Sequence, residues 1–338
     1  MPNYEAKLDQ IFSVSGDRLG FSDLDAEETQ PDMLVVGGPL NHHNLSHVAL
    51  RGSYENFPKG LRWLCWLGFP EEYVPINLHL RSLVVMDMQK SNLKRLWNDQ
   101  KSHESLEELT YLDLSHSTQL KGTPDFFYLP KLEKLFLITL AELPLDLYTL
   151  KLLETLILSG CSQLERLDDA LDFAGLLSLQ ILKLDNCSKL LSMVSLPKKM
   201  RDPRAGGTEK VGVIHMEMCN SIPYTDREKI MQGWAVGANA GIFVPGSSLP
   251  EWVRFKNETR SISFTVPEPT LNFDLIGFTV WTTYVSQQND LMSAYTPKIT
   301  LKNQTKGDVW SRNPATDHIR DEVEVSVYFG DNVAILET

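Results

Sequence analysis

The 338-residue chain has few cysteines, no surplus of positive charge and no long hydrophobic run, and each shortage excludes a class of protein. Cys65, Cys161, Cys187 and Cys219 are too dispersed to form the disulfide framework that staples small secreted domains. The net charge is -12, and residues 1–40 hold eight acids against Lys7 and Arg18. Nucleic-acid binding, which rests on basic patches, is therefore not expected. No apolar run approaches the ~18 residues that a membrane helix needs. The opening M-P-N-Y-E-A-K-L-D-Q has no apolar signal core, so neither a membrane nor secretion is expected. Catalytic signatures are missing too: there is no G-x-S-x-G, H-E-x-x-H or C-x-x-C. The expectation is a protein without enzymatic activity, cofactor or metal. His42, His43 and His47 suggest zinc, yet no cysteine or nearby carboxylate completes a set, and the stretch reads as a polar loop. The sequons at Asn44, Asn257 and Asn303 would matter only after secretion.

What is present is a repeat. L-E-T-L-I-L-S-G-C-S-Q-L begins at Leu153, and L-Q-I-L-K-L-D-N-C-S-K-L begins 26 residues later at Leu179. The pattern L-x-x-L-x-L-x-x-C-x-x-L is a leucine-rich-repeat signature, in which L-x-L is a short strand and the leucines point into a stacked core. The same frame fits Leu132, Leu109, Leu83 and, less cleanly, Leu61 as earlier starts. Spacings of 22, 26, 23, 21 and 26 residues lie within the span of this repeat. V-I-H-M-E-M-C-N, from Val213 to Asn220, reads as a degenerate last copy, since terminal repeats cap the stack. Cys161 and Cys187 take one position in successive repeats, where adjacency would permit a disulfide; in a chain without a signal core they read instead as small buried thiols.

Side chains alternate along a strand, so the residue inside each L-x-L faces the concave side of the solenoid. That ladder runs Cys65, Asp87, Asp113, Phe136, Ile157 and Lys183. Phe136 and Ile157 would sit side by side with Asp87, Asp113 and Lys183 around them, an apolar centre with a charged rim, as in a protein-binding hot spot. The alternative is that a loop covers both residues, or that they are ordinary scattered surface apolar groups. After the repeats, Thr225-Asp226-Arg227-Glu228 has capping-box spacing and predicts a short closing helix to about Gln232.

From Gly241 the period becomes two. G-I-F-V-P, I-S-F-T-V, L-I-G-F-T-V-W-T-T-Y-V, K-I-T-L-K and V-E-V-S-V-Y-F read as strands of an antiparallel β-sandwich. The expected organisation is an unassigned region at 1–45, a solenoid at 46–220, a capping helix and linker at 221–238, and an all-β sandwich at 239–338.

The segment S-Y-E-N-F-P-K-G-L-R-W-L-C-W-L-G-F-P from Ser53, S-N-L-K-R-L-W from Ser91, L-D-L-S-H-S from Leu112, T-P-D-F from Thr123 and L-I-L-S-G-C-S from Leu156 carry a resemblance. They resemble the repeats of plant disease-resistance receptors of the Toll/interleukin-receptor-type nucleotide-binding leucine-rich-repeat family. Pro245, Gly246, Pro250 and Trp252 resemble the marker of that family's post-repeat jelly-roll or immunoglobulin-like domain. The family's NAD-cleaving signalling domain and nucleotide switch have no counterpart motif here, so neither activity is implied. The resemblance implies a non-catalytic recognition module that binds a pathogen effector or guarded host protein, in the cytoplasm or also the nucleus. The alternative is a truncated adaptor, decoy or autoinhibitory scaffold that binds the nucleotide switch of a full-length receptor.

Overall fold

The computed structural model describes residues 11–14, 19–20, 33–36, 50–51, 57–75, 78–98, 105–121, 125–138, 140, 143, 145–167, 176–193, 212–235, 240–246, 248–253, 255–256, 261–265, 298–304, 307, 309–312 and 322–328. The chain divides into two units, Met1–Pro245 and Gly246–Thr338.

The first unit is built on one parallel sheet. Its strands, in chain order, are β1 (Ile11–Val14), β3 (Met33–Val36), β5 (Trp63–Trp66), β6 (Val85–Asp87), β7 (Tyr111–Asp113), β8 (Lys134–Phe136), β9 (Thr155–Ile157), β11 (Ile181–Lys183), β13 (Gly212–His215) and β14 (Ala240–Phe243). The numbers between belong to two side pairs, β2 (Leu19–Gly20) with β4 (Leu50–Arg51) and β10 (Arg166–Leu167) with β12 (Ser192–Met193). Every neighbour in the main sheet is parallel, so each strand is followed by a crossover to the next turn of a solenoid.

The leucine frame explains the core. The register stacks Leu34, Leu64, Met86, Leu112, Leu135, Leu156, Leu182 and Ile214 in one inward row, all without solvent exposure. Two residues on, Val36, Trp66, Met88, Leu114, Leu137, Leu158, Leu184 and Met216 form a second row, equally buried. The crossovers after β7 and β8 carry 3-10 turns at Phe126–Tyr128 and Leu145–Thr149, which send Phe126 and Leu147 into the same core.

Two recurring residue types hold the turn after each strand. Lys90, His116, Asn186 and Met218 all have φ near +60°, and Gly160 takes the equivalent place at +83°. Gly160, like Gly68 at +69° in the equivalent turn after β5, enters this left-handed region without steric cost. Next comes the serine or cysteine of the repeat, whose side chain donates back to the preceding turn. Ser117 Oγ reaches Met88 O at 3.4 Å, and Cys161, Cys187 and Cys219 Sγ reach Leu137, Leu158 and Leu184 O at 3.2, 3.3 and 3.0 Å. All four cysteines are free thiols. The thiols of Cys187 and Cys219 thus add a second hydrogen bond at the Leu158 and Leu184 carbonyls, which also accept from the Cys161 and Cys187 backbone N–H groups.

The structure departs from the sequence reading at both ends of the sheet. β3 lies within 1–45, where the sequence assigns no element, yet Leu34 and Val36 extend the solenoid core. β14, which the sequence places as the first strand of the C-terminal domain, pairs with β13 as the last strand of the solenoid sheet. The helix Tyr224–Ala235 stands where the capping-box spacing places one, with Ile230 and Met231 buried.

In the second unit, β15 (Ser261–Thr265), β16 (Lys298–Asn303), β17 (Val309–Arg312) and β18 (Glu322–Tyr328) form a sheet of order β15-β18-β16-β17. Only β16 and β17 are antiparallel; β18 runs parallel to both β15 and β16. The expected strand at 275–285 and Trp281 lie outside the described residues. Asn303 is 1% exposed, which closes that sequon to a glycan in the folded chain.

Candidate protein-binding face

The register that stacks the leucines also aligns the residues between them. Val35, Cys65, Asp87, Asp113, Phe136, Ile157, Lys183, His215 and Phe243 occupy one row across the sheet. All five residues singled out from the sequence are in it, and Phe136 lies directly across from Ile157.

A second row on the same pleat, two residues earlier, holds Trp63, Val85, Tyr111, Lys134, Thr155 and Ile181. Tyr111 is the member that the sequence reading misses. Its ring centre is 5.1 Å from that of Phe136 at a tilt of 40°, so Tyr111, Phe136 and Ile157 make one half-buried apolar patch. Counting two residues back along each strand would have found it.

The acids on one side of the patch are more buried than a charged rim implies. Asp113 is 5% exposed and accepts from the Ser115 backbone N–H at 2.8 Å, so it closes the turn after its own strand. Burial, followed by repulsion from Asp113, pushes the Asp87 carboxyl up to about 6, against hydrogen bonds from Gln89. Burial and the same two acids push the Cys65 thiol up to about 12. Burial also raises Tyr111, whose hydroxyl donates to Asp113 at 3.4 Å.

On the other side, burial lowers the Lys183 ammonium, while Asp185 and Glu217 work against that shift. Burial and then the Lys183 charge pull His215 down to about 3. Burial and then Asp185 push Glu217 up to about 8. The face thus has an acidic side, an aromatic and aliphatic centre, and a side of mixed charge.

Asp87 gives a pH prediction. A carboxyl raised when folded binds its proton more tightly in the native state, so stability is greatest below the unfolded value and falls as pH rises through about 6. Asp87→Asn is therefore expected to gain roughly 1–2 kcal/mol at pH 7.5, less than the full shift implies because one side of the sheet is open to water. Urea midpoints of both proteins across pH 4 to 7.5 should converge at the acid end; a constant gap would assign the gain to something other than this proton.

No family model matches the chain. Among curated proteins it is 36% identical over 118 residues to disease resistance protein RPV1 of Vitis rotundifolia, covering 35% of this chain and 8% of that protein. It is 30% identical over 148 residues to RML1A of Arabidopsis thaliana, covering 43% and 14%, and 35% identical over 147 residues to RPS6 of the same plant, covering 43% and 12%. The aligned stretch spans only about a tenth of these relatives' length. The chain is thus a homologue of plant disease resistance proteins, as its repeat motifs imply.

Proposed function

We propose that the chain is a non-catalytic recognition module of an intracellular plant immune receptor, binding a pathogen effector or guarded host protein across the concave face of its repeats. The observation that carries this reading is the patch of Tyr111, Phe136 and Ile157 on a sheet face whose flanks are charged. Such an apolar centre is where interface energy concentrates. The raised Cys65 thiol supports a non-enzymatic role, because the thiolate is the nucleophile and this environment opposes it. We read the second unit as a β-sandwich of the post-repeat type that contributes to the same recognition. The Pro245, Gly246, Pro250 and Trp252 pattern supports that assignment. A location in the cytoplasm, or also the nucleus, goes with this role.

The test is a two-hybrid screen with the chain and its Phe136→Ala/Ile157→Ala double variant as baits, against a pathogen-effector library and a host leaf library. Partners of the parent should bind the variant at least about thirtyfold more weakly, the factor for a hot spot of about 2 kcal/mol. The double variant should stay folded, losing about 1 kcal/mol with the Tyr111 contact on top of the apolar area that the two half-buried side chains cover. Equal binding by both baits would remove the face from recognition. Capture only of receptor nucleotide-switch domains would favour the scaffold role instead.

A further inference from the structure

A second group of side chains lies at the mixed-charge side of the face. His215 ends β13 and Glu217 lies in the turn that follows, on either side of the buried Met216. Asp185 comes from the adjacent turn: the Glu217 backbone N–H donates to Asp185 Oδ1 at 3.2 Å, and Ser159 Oγ donates to Oδ2 at 3.3 Å. One imidazole nitrogen and one oxygen from each carboxyl lie within 4.8 Å of one another. Asp185 and His215 are 5% exposed and Glu217 is 4% exposed. The His215 ring is held flat against Phe243, centre to centre 4.4 Å and 3° from parallel. Even so, its buried Nδ1 has no hydrogen-bond partner. Native folds rarely leave a buried polar atom in that state.

We propose that Asp185, His215 and Glu217 form a binding site for a divalent transition cation, zinc foremost. An imidazole nitrogen with two carboxylate oxygens suits zinc and its first-row neighbours. Calcium and magnesium take shells made of oxygen. Bonds of about 2.0–2.2 Å place tetrahedral ligands roughly 3.3 Å apart, so the three atoms need draw in by only about 1.5 Å. The fourth position is left for water or a group from a bound protein. Lys183, the base whose field reaches all three groups, sits on a flexible stem and can turn its ammonium outward as the cation enters. A bound ion would tie β11 to β13 and fix the far end of the recognition sheet.

The test uses the full chain, stripped with chelator and titrated with Co²⁺ as a spectroscopic stand-in for zinc. The expected result is one Co²⁺ per chain at micromolar concentration, with the visible absorption of a four-coordinate nitrogen and oxygen site, displaced by Zn²⁺. X-ray absorption of the zinc-loaded protein should show one imidazole and no sulfur. Glu217→Gln should weaken uptake by more than about tenfold, while His42, His43 and His47 changed together to Ala should leave it intact. Failure of the parent chain to bind stoichiometrically would overturn the proposal. So would a shell with sulfur or several imidazoles, or uptake unchanged in Glu217→Gln.

Discussion

Leu156→Ala is expected to destabilise the first unit by about 2–5 kcal/mol. Leu156 has no solvent exposure and lies in the inward row between Leu135 and Leu182. The substitution removes its transfer energy and leaves a cavity that neighbouring turns, fixed by their own ladders, cannot fully close. A solenoid spreads such damage along its axis, because each turn is stabilised chiefly by the turns beside it. Urea unfolding should show an earlier or broader transition, and amide exchange should accelerate first in β8, β9 and β11. An unfolding curve superimposable on the parent's would place Leu156 outside the core and shift every residue of the concave face by one position.

The repeats were legible because one frame, L-x-x-L-x-L, states both the strand and the direction of its side chains. What was not legible was whatever depends on a partner strand. Met33–Val36 contributes only Leu34 and Val36 to the core, too few positions to reveal a repeat without its neighbours. Ala240–Phe243 alternates as a sandwich strand would; its ladder to Gly212–His215, not its pattern, assigns it to the solenoid. The same gap accounts for the parallel pairs of the C-terminal sheet, since alternation fixes which face a residue takes and says nothing of strand direction.

The candidate face divides along the same line. Strand parity was enough to bring Asp87, Asp113, Phe136, Ile157 and Lys183 into one row. It did not reveal the depth of Asp113, which follows from the turn that its carboxylate closes. Nor did it join Asp185 to His215 and Glu217, because these meet only when residues far apart in the chain come into register. His215 and Glu217 were visible in the last repeat as polar letters between apolar ones. Their third partner was visible only in space.

Trp66→Ala should be costlier still, about 3–5 kcal/mol. Trp66 is wholly buried, edge-on to Phe69 at 4.8 Å between ring centres and stacked on Phe57 at 6.5 Å. Those rings close the side of the solenoid where the leucine frame is weakest, so aromatic volume does there what leucines do in later turns. Truncation leaves a void larger than Leu156→Ala can, and Phe57 and Phe69 lose their pair contacts along with the buried area. Trp66→Phe keeps an aromatic face against Phe69 and should recover more than half of the loss. Urea unfolding of both variants, with amide exchange at Leu34–Val36 and Leu64–Asp87, measures this. Exchange in β3, β5 and β6 should rise together, while β11 and β13 at the far end stay protected longest. Were β11 and β13 to open in step with β3, the solenoid would unfold as one cooperative block, and the damage from Leu156→Ala would likewise spread evenly instead of centring on β9.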